Sequence, residues 1–86
     1  MHTVELLEEA CEVAGSLGYL VRQEWLGGAG GGACEFAGRK WLFIDLALNA
    51  IEQLDQVIGA LRNDPGIYQA SLSAPLQQLL DVRRAA

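Results

Sequence analysis

Histidine and methionine occur once each in this chain, cysteine and proline twice, and lysine and arginine together six times against eleven aspartates and glutamates. Each scarcity removes a class of function. Two cysteines, Cys11 and Cys34, allow one disulfide at most; with no secretory leader ahead of them, the expectation is two reduced thiols in a cytoplasmic protein. There is no Cys-x-x-Cys pair, and a metal site would have to gather His2, Cys11, Cys34 and Asp45 from separate elements with no short-range ligand pair. Neither a metal nor a cofactor is expected. Six scattered basic residues in a chain of net charge -5 make no face that neutralises phosphates, which argues against a nucleic-acid partner, and Arg83 and Arg84 are too few to reverse this. The longest apolar run, Trp41 to Ile44 and on through Leu46 to Leu48, is interrupted by Asp45 and falls short of a bilayer span, so no membrane partner is expected.

What is present is an ordinary globular composition, 51% hydrophobic and 20% charged, in 86 residues without internal repeats or an interdomain linker. One domain of this size buries only about two-thirds of its unfolded surface. A core that thin has to offset ~1–2 kcal/mol of conformational entropy per residue, and short chains often recruit a second subunit to do so.

Residues 3–17 read as an amphipathic helix. Thr3 suits its N-cap and Gly18 its left-handed end, Leu6, Leu7, Ala10, Val13, Ala14 and Leu17 make the apolar stripe, and Cys11 stands at the stripe's margin. The period then changes to two over residues 19–26, a strand. A loop over residues 27–32 with five glycines follows, then a strand at 33–37, a two-residue turn at Gly38-Arg39 and an apolar strand at 40–45. With that turn, Cys34 would lie opposite Phe43, Phe36 opposite Trp41 and Glu35 opposite Leu42, and a symmetric glycine loop would set Trp25 against Cys34 and Glu24 against Glu35.

The expected core face of this three-stranded antiparallel meander is then Tyr19, Val21, Trp25, Cys34, Phe36, Trp41 and Phe43. Leu20, Leu42 and Ile44 form an apolar corner on the other face, among Arg22, Glu24, Glu35 and Lys40. A second helix starts after Asn49, whose spacing to Glu52 matches a capping box, and buries Ile51, Leu54, Val57, Ile58 and Leu61. Asn63-Asp64-Pro65-Gly66 ends it. Residues 67–72 fit either an extended piece or a helical turn, and Pro75 suits the first position of a C-terminal helix with Ala74 extended before it. The fold class expected is α+β in one domain: helix, antiparallel meander, helix, C-terminal helix.

Gly28-Ala29-Gly30-Gly31-Gly32-Ala33 formally matches a dinucleotide fingerprint, but that fingerprint must open a helix and this one enters a Cys-Glu-Phe strand. Consecutive glycines can still present the N–H groups of Gly30, Gly31 and Gly32 to a small anion. Against this stands a plain flexible connection. Cys34, next to the loop, is the candidate nucleophile with Asp45 nearby, although Asp45 would raise a thiol pKa and His2 is remote; a structural thiol is the simpler reading. Asp45 itself is better suited to accept hydrogen bonds from the glycine loop or the following segment. Glu24 and Glu35 fit a surface charge network better than an acid/base pair.

Gly31-Gly32-Ala33-Cys34, Gly38, the strand Trp41-Leu42-Phe43-Ile44 with Asp45, and Leu54 to Leu61 together resemble a group of small uncharacterised bacterial proteins that carry a Gly-Gly-x-Cys hairpin followed by a helix. The resemblance covers residues 17–62 and implies a hairpin unit but no activity. The function expected from the residues is a non-enzymatic interaction module that self-associates, as a homodimer, through Leu20, Leu42, Ile44 or the C-terminal leucines. The alternative is a thiol-dependent enzyme or small-anion site built on Cys34 and the glycine loop.

Overall fold

The computed structural model describes residues 2–28 and 30–81. Helix α1 (Thr3–Ser16) buries Ala10, Val13 and Ala14, the middle of the expected stripe. It begins one residue earlier than Thr3 capping would allow: His2 holds the N-cap position without a side-chain bond. Gly18, at φ +95°, takes the left-handed conformation that turns the chain into the sheet. Helix α2 (Ala50–Arg62) carries the capping box, in which Glu52 N–H donates to Asn49 Oδ1 at 2.9 Å and Asn49 N–H donates to Glu52 Oε1 at 3.2 Å.

After α2 the Asp64 carboxylate accepts the Gly66 N–H at 2.8 Å and starts a short 3-10 helix, Pro65–Gln69, where the sequence pattern left helix and strand open. Helix α3 (Ala74–Leu80) is capped by Ser73, whose side chain accepts from Leu76 N–H, so Pro75 falls at the second helical position and Ala74 at the first. Other side chains fasten this short helix at both ends. Glu9 of α1 accepts the N–H and hydroxyl of Ser73 at 2.8 and 2.6 Å, and Arg62 of α2 donates to the Leu79 carbonyl at 2.8 Å. A carboxylate at the N-terminus and a guanidinium at the C-terminus both complement the helix dipole.

The domain is α+β, but its sheet is mixed rather than an antiparallel meander. Strands β1 (Tyr19–Glu24), β2 (Gly32–Phe36) and β3 (Arg39–Asp45) lie in the order β1-β3-β2, with β3 parallel to β1 and antiparallel to β2. The glycine loop does not fold β2 back on β1. It carries the chain across the end of β3 to the far edge, and residues 25–38 thereby form the long connection that parallel strands require. The order places the most apolar strand in the middle, where both of its edges are paired.

The hairpin turn is Ala37-Gly38, not Gly38-Arg39. Both residues have positive φ, +53° and +76°, as a two-residue turn matched to strand twist demands. Cys34 therefore pairs with Trp41, Glu35 with Lys40 and Phe36 with Arg39. The expected opposition of Cys34 to Phe43, Phe36 to Trp41 and Glu35 to Leu42 is displaced by two residues along β3.

The faces of β2 and β3 are also inverted relative to expectation. Leu42 and Ile44 are fully buried against Val13, Ala14, Val57 and Leu61 of the helices, with Tyr19 and Val21 alongside. Cys34 and Phe36 are exposed, and Trp41 and Phe43 lie half-covered on the side that no helix touches. Strand β3 is apolar on both faces, so hydropathy alone cannot orient it. The small Ala10 and Ala14 bring α1 close to the sheet, and branched aliphatic side chains fill that narrow gap where indole and phenyl rings would be overpacked. Leu42 and Ile44 are thus core, as are Leu76 and Leu80 of the C-terminal leucines, and these four are not available to a partner.

Candidate functional site

The glycine loop is organised by Asp45. This residue ends β3 fully buried, and its carboxylate accepts the N–H groups of Leu26 at 3.0 Å, Gly28 at 2.6 Å and Ala47 at 2.9 Å. Burial by itself pushes the carboxyl pKa up; the bonds from Ala47, Leu26 and Gly28 outweigh it, and the net position is below the usual carboxylate range. Gln56 of α2 completes the arrangement, accepting the Asp45 N–H at 3.0 Å and donating to the Gly30 carbonyl at 3.2 Å. A Cβ on Gly31, which has φ +124°, would collide with the Gln56 amide, so this glycine is needed for both its conformation and its lack of a side chain. Gly32 begins β2 opposite Phe43.

Of the sequence-predicted site residues, Asp45 and the glycines are brought together, while Cys34 is held apart. Cys34 sits across from Trp41, and Asp45 lies four residues further along β3, roughly 13 Å at the rise of an extended strand. Trp25 is also remote from Cys34: it follows β1 and is 75% exposed. Glu24 and Glu35 occupy strands at opposite edges of the sheet, Glu24 level with Asp45 and Glu35 beside Lys40. Cys11 is half-buried on α1, where burial pushes its thiol pKa up. No group of three or more His, Cys, Asp or Glu among the described residues is placed to hold a metal ion. None of the helices formed by those residues is long and apolar enough to cross a membrane.

The periodicity gave no warning of a polar cluster at the hairpin end of the sheet. Lys40 points to the helix side and donates to Asp64 at 2.7 Å and to the Leu17 carbonyl at 2.8 Å, with its ammonium 4.3 Å from the centre of the Tyr19 ring. The Asp64 bond pushes Lys40 above its usual range, and the same bond together with the Gly66 N–H holds Asp64 below its own. Burial, followed by the neighbouring Asp64, raises Tyr19. Two hydrogen bonds and a ring face occupy the ammonium, so Lys40 ties β3 to the end of α1 and to the turn after α2 rather than presenting a free cation.

The uncovered face of the sheet is the remaining feature. Register places Leu20, Arg22 and Glu24 of β1, Arg39, Trp41, Phe43 and the buried Asp45 of β3, and Gly32, Cys34 and Phe36 of β2 on it. Trp41 and Phe43 stack with centroids 5.8 Å apart and planes inclined by 11°. Phe36 is 70% exposed, and a groove of about 490 Å³ runs between Arg22, Glu24, Cys34, Glu35, Phe36, Trp41 and Phe43. Trp41 Nε1 is buried without a hydrogen-bond partner among the described residues. An unpaired buried donor costs on the order of 1–3 kcal/mol, which marks this side as something other than a surface tuned to face water.

Compared with protein-family models, with curated proteins and with solved structures, the chain matches none.

Proposed function

We propose that this protein is a non-enzymatic interaction module that self-associates through the uncovered face of its three-stranded sheet. The observation that carries the reading is the stacked Trp41–Phe43 pair flanked by exposed Phe36 and Leu20, an aromatic surface on a sheet whose other face carries the helices. Charge favours a second copy as the occupant. The chain as a whole carries -5, whereas this face offers Arg22, Glu24 and Arg39, with Arg22 and Glu24 already paired at 2.9 Å. The face is therefore close to neutral, and two copies meet there without the repulsion that the net charge of the chain would otherwise impose.

Area sets the strength. Three strands ~4.8 Å apart, the longest of seven residues at ~3.3 Å per residue, make a face of at most roughly 14 by 23 Å. That footprint is smaller than the ~800 Å² per partner of a standard interface, so the association is weak and concentration-dependent. Cys11 and Cys34 are free thiols, which suits a reducing, cytoplasmic setting.

Sedimentation velocity across a dilution series tests the reading. The expected result is a shift from monomer towards dimer as concentration rises through the micromolar range, and loss of that shift in Phe36→Asp. A species that stays monomeric at every concentration would overturn it.

A further inference from the structure

Resting on that reading, we propose that two copies pack face to face about a two-fold axis running along β3, so that β1 of each copy lies over β2 of its partner. The argument comes from the register. Across the uncovered face, Leu20 and Cys34 flank Trp41, and Arg22 and Gly32 flank Phe43. Phe36 flanks Arg39 on one side, and Gly18, the residue before β1, shares a hollow with Leu20 and Arg39 on the other. In every row the two edges carry one large and one small residue: leucine against cysteine, arginine against glycine, phenylalanine against glycine.

An axis along β3 exchanges the edges and leaves each row at its own level. Leu20 then meets Cys34 of the partner subunit, Arg22 meets Gly32 of the partner subunit, and Phe36 meets Gly18 of the partner subunit. Each projecting side chain faces a position with little or none, and Trp41 and Phe43 fill the centre. An axis running across the strands sets β1 on β1 and β2 on β2, pressing leucine and arginine together at one edge and leaving a gap between cysteines and glycines at the other. Sheets pack ~10 Å apart and follow their side-chain relief, so the first arrangement closes and the second leaves a wedge.

Charge is compatible with the same axis. Arg22 and Glu24 keep their pairing within the chain, and Asp45, which shares their face by register, is fully buried with its carboxylate held by three N–H groups. On the axis Trp41 and Phe43 meet their own copies, and so does Arg39, at the open turn end where salt screens the repulsion.

Two measurements test the geometry separately from self-association itself. The first uses a chain with Cys11→Ser, Cys34→Ser and Arg39→Cys, whose sole thiol lies on the proposed axis. A bis-maleimide spanning ~10 Å is expected to yield covalent dimer, because the two thiols face one another at the sheet spacing; an axis across the strands separates them by six residues, roughly 20 Å. The second exchanges sizes. Cys34→Leu, on an exposed edge strand, is expected to weaken association about tenfold by setting leucine on leucine, and adding Leu20→Ala to bring it back within about threefold of the original, since the two sites act on each other only between copies.

Cross-linking together with size rescue supports the axis. If the unmodified protein dimerises in sedimentation while Arg39→Cys chains remain uncross-linked, or if Leu20→Ala fails to restore Cys34→Leu, the axis is overturned and the self-association reading stands. A protein that does not dimerise at all overturns both.

Discussion

Gly28 donates its N–H to the Asp45 carboxylate at 2.6 Å, binding the glycine loop to the strand whose end it crosses. Asp45 also receives Leu26 and Ala47, so one side chain fixes the exit of β1, the crossing loop and the exit of β3. Asp45→Ala leaves three N–H groups without their acceptor, and the expected result is a thermal midpoint lowered by on the order of 10 °C, read by circular dichroism. Retention of the wild-type midpoint would show that the loop does not depend on this residue.

Acid sensitivity follows from the same group and from Asp64, both held below the usual carboxylate range. A depressed folded pKa means stability that is present above the unfolded value of ~3.9 and lost as pH falls through the folded one. Urea midpoints are therefore expected to hold between neutral pH and ~5 and to fall below ~4. In Asp64→Asn the acid loss should be shallower than in wild type.

At the alkaline end the sign reverses. Lys40 and Tyr19 are both raised in the fold, so their contribution is present below the unfolded values of ~10 and lost as pH climbs through the folded ones. Lys40→Met should lose stability at neutral pH, because Asp64 then lacks its partner, and its remaining stability should vary less between pH 9 and 11 than that of wild type.

The two faces of the sheet predict opposite outcomes for similar truncations. Leu42→Ala, at a fully buried position, is expected to cost ~2–5 kcal/mol in urea unfolding. Phe36→Ser is expected to change the monomer's stability by no more than ~0.5 kcal/mol while weakening self-association. Reversed magnitudes would mean that the helices cover the aromatic face instead.

Ala37 holds a left-handed conformation at φ +53°, which costs a non-glycine residue roughly 1–2 kcal/mol. Ala37→Asn creates the Asn-Gly pair that such a turn prefers and is expected to stabilise the protein by ~0.5–1 kcal/mol, measured from the shift in urea midpoint.

Ser73→Ala removes the cap of α3 and should cost ~1 kcal/mol. Glu9→Ala should cost a similar amount, and the double variant less than the two together, because Glu9 acts on Ser73 itself. Full additivity in that cycle would show that the two side chains work independently.

Local chemistry was the legible part of this sequence. The Asn49–Glu52 capping box, the stripe of α1, the stripe of α2 apart from Ile51, which is exposed rather than buried, the stop at Asn63-Asp64-Pro65 and the role of Asp45 as an acceptor for the glycine loop all depend on neighbours within a few residues or on one buried charge. The pairing of strands did not follow from alternation, which assigns residues to two faces within a strand but leaves the faces of successive strands unrelated across a loop of free geometry. The alternation on β1 correctly joined Tyr19 and Val21 to the core side, while β2 and β3 were attached to it the wrong way over. Lys40 was the available signal. It shares a face with Leu42 and Ile44, and seeing that this face could be interior required a buried acceptor, Asp64, that lies twenty-four residues away.

Because β3 is the only strand that touches both others, the sheet has no smaller version of itself. During synthesis β1 and β2 leave the ribosome with nothing to pair against each other, and both ladders wait for the chain to reach β3. The helix that covers β3 is made only after that. A nascent chain thus passes from no sheet to the whole sheet in one event, and a copy truncated within β3 is left with two unpaired strands and an uncapped loop.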